Sequence, residues 1–531
     1  MRDGTALLAD HYAPVVPGPS PTILMRGPYG RGWQLGLLNA QIFAERGYHV
    51  LLQSTRGTFG SGGLFRPAAD EPHDAHDTVV WLREQDWFDG RLATVGSSYL
   101  GFTQWALALD PPPELAASVV TVGLHDIGRA AYEQGPLELY NTLMWAELLS
   151  HQERNSTLSG ITRMIRTERR LAPALARRPL RGVLASLGEH GSPWYEEWLA
   201  HPDLDAPYWQ PLRATDALHG ITAPTLLIGG WYDAFLTQTL DQYDLLRGRG
   251  VDTALVMGSW THVNIDPKVV LPHTLAWLDE HVAHRAPATS RLRGALVHVG
   301  GANRWDHTPT WPPDSTGVRT WHLQPAGSLT ETPPGPDGAT TTLHHDPADP
   351  TPSPGGRLMA FGGGPQDNQD TEAREDVVTF TTPPLAQPVE IHGAPVLDIH
   401  LASDNPEADL FARLCDVHPD GRSISITDRI VRLTPKDTQP DQTRIVRITL
   451  DPTAYHLRPG HRLRLQLAGG AHPRFAGNPG TGETATTSAH TRPVTHTIHH
   501  DQAHLSRLTV PAVPLPLDLP PEQVQGQVQG Q

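Results

Sequence analysis

Two neighbouring serines lie in the stretch TVGSSYLGFTQ, residues 94–104, between an apolar run and a helical pattern. A nucleophilic serine needs a sharp strand-to-helix turn, and such a turn requires small residues nearby. With Ser98 as the nucleophile, glycines lie two positions before it and three positions after it. With Ser97, the flanking positions hold the bulky Val95 and Tyr99. The spacing favours Ser98, although G-x-S-x-x-G alone also fits a serine that caps a helix.

A serine becomes a nucleophile when an imidazole takes its proton and a carboxylate orients that imidazole. When such a serine lies at the end of a strand in a parallel α/β sheet, the expected chain order is serine, acid, histidine, each on a loop after a strand. LLIGGWYDAF ends a strand with Asp233 on the following loop, and ALVMGSWTHVN ends the next strand with His262. The chain has 29 histidines, so His262 is chosen for its position and not for its residue type. The predicted triad is Ser98, Asp233 and His262.

Three other aspartates compete for the role of the orienting acid. Asp252 precedes its strand and so lies at the opposite edge of the sheet. Asp266 follows His262 too closely to share its loop, and Asp77 lies in a helical segment where capping or ion pairing is the simpler role. Asp233 is therefore preferred.

A tetrahedral intermediate needs two preorganised hydrogen-bond donors for its oxyanion. One is the backbone N–H of the residue after the nucleophile, here Tyr99. The segment ILMRGPYGRG (23–32) follows an early strand and offers either a backbone N–H or the phenol of Tyr29. Tyr29 and Tyr99 are the predicted oxyanion hole.

The segments that carry these residues alternate between strand and helix patterns. PTILM (21–25) and YHVLLQ (48–53) are short apolar runs typical of buried strands. DAHDTVVWLREQDWF (74–88) has apolar residues, Trp87 among them, at helical spacing. RLATVG then enters the serine turn as a strand and FTQWALAL leaves it as a helix. This alternation predicts an α/β domain with a parallel sheet covered on both faces.

Downstream, the pattern changes twice. Only helical spacing occurs from about 125 to 215, and strands resume at APTLLIGG (223–230) and TALVMG (253–258), which indicates a helical cap inserted into the α/β domain. After about 315, short strands separated by turn signals predict an antiparallel sandwich or jelly roll, with part of 326–376 as loop. The predicted units are an α/β domain at 1–124 and 216–315, a cap at 125–215, a β jelly roll at 316–515 and a disordered tail at 516–531.

Composition narrows the functional classes. A formal charge of −16 argues against nucleic acid as a partner, because phosphate binding needs a basic surface. No apolar run reaches the roughly 18 residues of a membrane span, and MRDGTALLADHYAP lacks the apolar core of a secretion signal. The single cysteine, Cys415, excludes an internal disulfide. We expect a cytoplasmic protein with no membrane partner; its oligomeric state stays open, a homodimer included.

Taken together, the motifs resemble one family, the X-Pro dipeptidyl-peptidase and cocaine esterase group of α/β-hydrolases. RGPYG resembles its oxyanion-tyrosine loop, GSSYLGFTQW its nucleophile turn, GGWYDAF its acid loop and GSWTH its histidine loop. DNQDTEAREDVVTFTTPPL, DLFARLCDVHPDGRSISITDRIVR and HPRFAGNPGTGE resemble its C-terminal jelly roll. The resemblance covers nearly the whole chain and implies an α/β-hydrolase domain with a helical cap insertion, followed by a galactose-binding-like β jelly roll.

The same resemblance implies the roles of the site residues. Ser98 would be the nucleophile, His262 the base and then the acid, and Asp233 its orienting carboxylate. The Tyr29 hydroxyl and the Tyr99 N–H would stabilise the oxyanion. Phe235, two residues after the acid, matches a position that lines the acyl pocket.

The family contains carboxylesterases, β-lactam acylases with α-amino ester hydrolases, and X-Pro dipeptidases. A desolvated substrate ammonium requires fixed carboxylates. Where the α-amino ester hydrolases carry carboxylates after the catalytic acid, this chain has Ala234 and Phe235. We therefore predict a serine esterase for a neutral, apolar acyl group. Cap residues that could still supply a carboxylate are Glu138, Glu147 and Glu153; those expected to shape the pocket are Trp145 and the group Trp194, Trp198 and Trp209.

Three alternatives stay open. The amide-cleaving ones are an X-Pro dipeptidyl-peptidase and a β-lactam acylase-type amidase. The third, of another class, is a non-catalytic jelly-roll binding protein. HHD (344–346) and THTIHHD (495–501), with His496, His499 and His500, raise the question of a metal. Their ligand patterns are incomplete, so we expect surface imidazoles, no metal and no cofactor.

Overall fold

The computed structural model describes residues 1–32, 40–153, 170–186, 192–336, 339–359, 362–435 and 442–514. The predicted disordered tail, 516–531, lies outside these ranges. Within them the chain forms two sheets, which follow one another along the sequence.

The first sheet has the strand order β1-β3-β2-β4-β5-β6-β7-β8-β9. Its strands are β1 (Ala9–Tyr12), β2 (Ser20–Gly27), β3 (His49–Ser54), β4 (Phe88–Ser97), β5 (Leu115–Thr121), β6 (Thr225–Tyr232), β7 (Thr253–Thr261), β8 (Gly294–Val299) and β9 (Arg304–Thr308). β1 and β9 pair antiparallel at the two edges, and the pairs between them are parallel.

This sheet is buried on both faces. In β6, Leu226 and Ile228 belong to one hydrophobic cluster and Leu227 to another. In β2, Ile23 and Leu24 are divided between clusters in the same way. Because successive side chains of a strand point to opposite faces, the near-continuous apolar runs pack against helices on both sides.

The helices follow in chain order as α1 (Gln41–Glu45), α2 (Glu71–Arg83), α3 (Tyr99–Leu107), α4 (Ile127–Tyr132), α5 (Leu139–His151), α6 (Val183–Ser186), α7 (Pro193–Ala200), α8 (Ala217–Gly220), α9 (Leu236–Gly248), α10 (Pro267–His281) and α11 (Gln369–Glu372). The described residues between β5 and β6 form helices α4–α8, a further helical segment at 170–175, a 3₁₀-helix at Pro207–Leu212 and loops. This is the predicted helical insertion.

The helix predicted over 74–88 is wrong at both ends. It begins three residues earlier and ends at Arg83, because a turn closed by the Phe88 N–H on the Gln85 carbonyl (3.0 Å) leads into β4. Trp87 therefore lies outside the helix, and its ring stacks on His11 with centroids 4.0 Å apart.

The second sheet contains β10 (Gly317–Gln324), β11 (Ser328–Thr330), β12 (Thr340–His345), β13 (Val377–Thr381), β14 (Val389–Gly393), β15 (Val396–Ser403), β16 (Ala408–Val417), β17 (Ser423–Leu433), β18 (Arg444–Thr449), β19 (Thr453–Leu457), β20 (Arg462–Ala468), β21 (Val494–His499) and β22 (Arg507–Ala512). Apart from the short parallel β11–β13 pair, its described pairings are antiparallel. They enclose a separate aliphatic core, as a jelly roll requires.

β9 ends the first sheet at Thr308 and β10 begins the second at Gly317. The domain limits at residues 124, 215 and 315 stay predictions. No helix in the described ranges is both long enough and apolar enough to cross a membrane.

Candidate active site

The stretch TVGSSYLGFTQ contains a strand-to-helix turn of a single residue. β4 ends at Ser97 and α3 begins at Tyr99, so Ser98 alone joins them, with φ 61° and ψ −125°. A non-glycine residue holds such a backbone only where its surroundings enforce it. Here the Ser98 N–H donates to the Thr121 carbonyl (3.0 Å), and the Ser98 hydroxyl does not cap α3. The turn therefore presents the hydroxyl instead of using it for capping.

The two flanking glycines are sterically required. A Cβ atom at Gly96 would lie 2.4 Å from the Leu100 Cβ. A Cβ atom at Gly101 would lie 2.7 Å from the Gly123 Cα. Only hydrogen fits at either position, which explains why the G-x-S-x-x-G spacing identifies the turn.

Asp233 and His262 each follow the last residue of a strand, β6 and β7, at the same edge of the sheet as Ser98. The Ser98 Oγ lies 2.9 Å from His262 Nε2, and His262 Nδ1 lies 2.6 Å from Asp233 Oδ1. Asp233 is fully buried, and its second oxygen accepts the Phe235 N–H (3.0 Å). A carboxylate at Nδ1 fixes the tautomer in which Nε2 accepts the serine proton.

The phenol of Tyr29, rather than a backbone N–H of its loop, faces the nucleophile. Its oxygen lies 3.5 Å from Ser98 Oγ and accepts the Trp145 Nε1–H (3.2 Å). Burial raises the pKa of Tyr29, against opposing interactions with Ser98, Trp145 and the Tyr99 backbone, so the phenol stays protonated. Since its lone pair serves Trp145, its proton is available to an oxyanion beside Ser98.

Buried polar contacts that the sequence did not reveal hold these donors. The Tyr99 hydroxyl donates to Glu71 (3.0 Å), and Glu71 pairs with the buried Arg26 (3.1 Å). From α5's C-terminal side, Gln152 donates to the Pro28 carbonyl (2.7 Å), next to Tyr29. An acid in a helix start and a glutamine after a cap helix carry no sequence signal for such roles.

A pocket that is partly open to solvent, with about 460 Å³ of empty space, lies beside Ser98. Phe235, Trp145 and Trp198 line it, as predicted. The other two predicted tryptophans, Trp194 and Trp209, do not line it but pack against Trp198. Three further lining residues carry no sequence signal for this role: the neutral polar Asn141 and Thr142, and Met359, which comes from the segment ahead of β13. Its described lining contains no aspartate, glutamate, histidine, lysine or arginine.

The competing aspartates have other partners. Asp77 pairs with Arg2 (2.8 Å) and Asp252 with Arg291 (2.9 Å). Asp266 caps α10. The structure thus brings together the predicted site residues Ser98, Asp233, His262, Tyr29, Tyr99, Phe235 and Trp145.

Known proteins match this architecture. Residues 3–264 match the family model for X-Pro dipeptidyl-peptidase (S15 family), and residues 289–509 match that for the X-Pro dipeptidyl-peptidase C-terminal non-catalytic domain. The cocaine esterase of Rhodococcus sp. (strain MB1 Bresler) is 31% identical, and the alignment covers 97% of each chain.

Solved structures share the fold. An aminopeptidase from a marine sediment archaeon, Thaumarchaeota archaeon, superposes with a TM-score of 0.82 at 21% identity, covering 97% of this chain and 95% of that one. An α-amino acid ester hydrolase gives 0.80 at 22% identity, covering 96% and 95%. These likenesses confirm the predicted α/β-hydrolase domain followed by a strand-rich C-terminal domain. With the 31% identity to cocaine esterase along the whole chain, they show that the protein is a serine hydrolase belonging to the X-Pro dipeptidyl-peptidase (S15) and cocaine esterase family.

Proposed function

We propose that the protein hydrolyses carboxylic esters of neutral, apolar acids through an acyl-enzyme formed on Ser98. The observation that carries this proposal is the hydrogen-bonded chain from Ser98 through His262 to Asp233, with the Tyr29 phenol beside the nucleophile. A nucleophile, an oriented base and an oxyanion donor within hydrogen-bond reach are the parts that acyl transfer requires.

In the first half-reaction the Ser98 Oγ attacks the ester carbonyl while its proton passes to His262 Nε2. Asp233 stabilises the imidazolium that forms. The carbonyl oxygen becomes an oxyanion that the Tyr29 hydroxyl and the Tyr99 N–H stabilise. His262 then protonates the departing alkoxide, and in the second half-reaction it activates the water that releases the acid and regenerates Ser98.

The character of the cavity supports a neutral acyl group. Phe235 and His262 form an edge-to-face ring pair with centroids 5.2 Å apart, which leaves an aromatic wall where an ammonium-binding carboxylate would have to lie. The cap glutamates have other partners. Asn141 donates to Glu138 (3.3 Å), Glu147 pairs with Arg170 (3.2 Å), and Glu153 accepts the Phe59 N–H (2.8 Å). A free substrate amine would therefore be desolvated without a counter-charge.

A paired hydrolysis panel tests the substrate class: an aryl ester of a neutral acid, its N-acyl anilide and Gly-Pro-anilide. We expect kcat/KM to be highest for the ester. A preference for Gly-Pro-anilide would establish the dipeptidyl-peptidase alternative, and a preference for the N-acyl anilide the amidase. A fluorophosphonate probe that labels the wild type but not Ser98→Ala tests the nucleophile independently of the substrate.

The setting proposed for this reaction is the cytoplasm, with a small-molecule substrate and neither nucleic acid nor membrane as a partner. The support is the charge of −16 and the single cysteine. Cell fractionation with an antibody against the untagged protein tests it, and recovery in the membrane or culture medium would contradict it.

A further inference from the structure

The polar side chains that line the cavity beside Ser98 are already engaged, with one exception. The Tyr29 phenol faces the nucleophile and accepts the Trp145 Nε1–H (3.2 Å). The Tyr99 hydroxyl donates to Glu71 (3.0 Å) and points away from the nucleophile's hydroxyl. These two side chains therefore hold the oxyanion site and leave the rest of a substrate to other residues.

Asn141 is engaged at both ends of its amide. Its Oδ1 accepts the Met359 N–H (2.9 Å), and its Nδ2 donates to Glu138 and to the Arg357 carbonyl, each at 3.3 Å. The amide thus ties the cap helix α5 to the segment ahead of β13. In this arrangement Asn141 offers a substrate no free N–H.

Thr142, the next residue of α5, is the exception. It lines the cavity, is 5% exposed, and its hydroxyl has no hydrogen-bond partner in the described part of the chain. A threonine inside a helix can satisfy its hydroxyl on the carbonyl four residues back. Ser150 of the same helix does so with Ala146 (2.8 Å), whereas Thr142 leaves its hydroxyl to the cavity.

Two hydroxyls of the jelly roll show how the fold supplies such partners elsewhere. Ser403 bonds His496 (2.7 Å), and Thr341 bonds His500 (2.8 Å). Both imidazoles are buried, so the prediction of surface imidazoles is wrong for His496 and His500. The Thr142 hydroxyl has no partner of this kind among the described residues.

The unpartnered hydroxyl sets a chemical preference in the cavity. A buried polar group without a hydrogen bond is costly, and a ligand atom that supplies the bond removes that cost. A hydroxyl both donates and accepts, so it fits a neutral oxygen, but it has no charge with which to hold an ammonium or a carboxylate. Apolar side chains, among them Leu124, Ile127 and Phe235, form the surrounding lining.

The position of Thr142 relative to the reacting atoms follows from the helix. Residues three apart lie on the same face of a helix, with Cβ atoms about 5–6 Å apart. Trp145 lies three residues after Thr142, and its indole N–H reaches Tyr29 beside Ser98. Thr142 is therefore one turn of α5 away from the contact with the oxyanion site, and a substrate reaches it with atoms distant from its scissile carbonyl.

We propose that Thr142 binds a neutral oxygen atom within the acyl group of the substrate. The preferred acids are then apolar groups interrupted by one ether, carbonyl or hydroxyl oxygen. This inference rests on the proposed ester hydrolysis through Ser98 and narrows its substrate class. Thr142 selects among acyl groups and takes no part in making or breaking bonds.

A paired series of aryl esters tests this subsite. Each pair consists of an all-carbon acyl chain and an analogue in which an ether oxygen replaces one CH₂ group, at successive positions along the chain. For each pair the measured quantity is kcat/KM of the ether ester divided by kcat/KM of the all-carbon ester. At one oxygen position we expect this ratio to be about 3- to 10-fold lower in Thr142→Val than in the wild type, the factor typical of one neutral hydrogen bond.

Two further variants separate the hydroxyl from packing. Thr142→Ser keeps the hydroxyl and should retain the wild-type ratio. Thr239→Val is the matched control, because Thr239 is a buried threonine of α9 whose hydroxyl also has no partner in the described residues but which is not among the lining residues. Its ratios should equal those of the wild type.

Ratios that are the same in the wild type and Thr142→Val at every oxygen position overturn the subsite. A loss in Thr239→Val as large as that in Thr142→Val overturns it as well. If Thr142→Val does not fold, Thr142→Ala removes the same hydroxyl and the same ratios decide. Hydrolysis of the all-carbon esters by the wild type upholds the proposed function whatever the ratios are, whereas a wild type that hydrolyses neither kind of ester refutes that function and the subsite with it.

Discussion

The catalytic cavity and the region directly behind it handle charge in opposite ways. At the cavity, Asp233 has the His262 imidazole as its partner, and no charged side chain is among the described lining residues. Behind it the Arg357 guanidinium lies 3.5 Å from the Ala234 carbonyl, next to Asp233. It belongs to a group of buried ionic side chains from the cap and the jelly roll, here called the ionic seam: Glu138, Arg357, Arg413, Asp428, Asp451 and Arg474.

Each of the three arginines of the ionic seam lies in contact with a buried carboxylate. Arg357 pairs with Asp451 at 2.7 Å, and Asp428 receives Arg413 at 2.9 Å and Arg474 at 2.5 Å. Burial pushes the pKa of Asp428 upward, but Arg474 and Arg413 outweigh it and hold that pKa at about 2. The two regions therefore use buried charge for different purposes. In the proposed mechanism the site keeps a carboxylate–imidazole pair available for proton transfer, whereas the ion pairs of the seam join the cap to the jelly roll beside it.

Removing the nucleophile should have the largest effect. Ser98→Ala leaves His262 with no proton to take, and we expect kcat/KM for an aryl ester to fall about 10⁴-fold or more. The free energy of unfolding should change by less than about 1 kcal/mol. Ser97→Ala is the matched control and should keep wild-type kinetics. Comparable activity in Ser98→Ala and Ser97→Ala would remove the basis of the assignment.

Breaking an ion pair of the ionic seam should have the reverse effect, a loss of stability with activity nearly unchanged. Arg413→Met leaves Asp428 with one of its two cations and removes a donor to the Asn368 side chain (2.6 Å). We expect a loss of about 3–5 kcal/mol in urea unfolding, with kcat nearly unchanged while the protein is folded. Arg447→Met, at an exposed arginine that pairs with Asp398 at the surface end of β15, should cost less than about 1 kcal/mol. Equal losses in the two variants would show that the seam contributes no special stability.

Removing one oxyanion donor should affect rate without affecting stability. Tyr29→Phe keeps the ring but deletes the hydroxyl beside Ser98, so we expect kcat to fall about 10²- to 10³-fold with little change in KM. Tyr132→Phe removes another buried hydroxyl, one that donates to the Trp198 carbonyl (3.1 Å), and should keep its kcat. A rise in KM without a fall in kcat would assign Tyr29 to substrate binding instead.

The free energy of unfolding should depend on pH because of Glu138, a buried carboxyl of the ionic seam. Burial raises the pKa of Glu138 to about 7, although Arg474 and Arg357 oppose the shift. Between pH about 4.5 and 7 the Glu138 carboxyl is deprotonated in the unfolded chain and protonated in the folded chain. The contribution of Glu138 to the free energy of unfolding is therefore full below pH 4.5 and is lost as the pH rises through 7.

Glu138→Gln should therefore match the wild type at pH 5 more closely than at pH 8, where we expect it to be more stable by about 2 kcal/mol. Urea unfolding at the two pH values measures this difference. Glu331→Gln, in an exposed pair with Arg319, is the control and should show no such change between the two pH values. A variant no more stable than the wild type at pH 8 would contradict the expected sign.

The proximity of Ser98, His262 and Asp233 could be predicted from sequence because each residue follows a strand, and strands are the clearest local signal in this chain. β6 and β7 run two and three residues past their predicted ends, which brings Asp233 and His262 directly to the sheet edge. The layered fold followed from the same alternation. The end of α2 did not, because a turn that closes on Phe88 is a tertiary feature.

The ionic seam could not be predicted, because its partners come from segments far apart in the chain. Glu138 shows the limit well: its sequence position suggested a substrate-binding carboxylate, and the structure gives it Arg474 at 4.0 Å instead. Met359 enters the cavity from a Gly- and Pro-rich stretch where neither period of two nor period of 3.6 exists to orient a side chain. Trp145 was predicted as a pocket wall, but its indole N–H has a direction that no sequence pattern encodes.

Two tryptophans in contact allow the finest test of the comparison. Trp145 and Trp194 have ring centroids 4.7 Å apart, but only Trp145 donates its indole N–H to Tyr29, whereas the buried Trp194 Nε1 has no partner in the described part of the chain. Trp145→Phe keeps an aromatic wall and frees the Tyr29 phenol to rotate, so we expect kcat to fall about 10-fold, a cost typical of one net hydrogen bond. Trp194→Phe deletes an N–H that has no partner among the described residues and should leave kcat unchanged. Equal losses would mean that the tryptophans act through packing alone, and that preorganisation of the oxyanion hole does not depend on the cap.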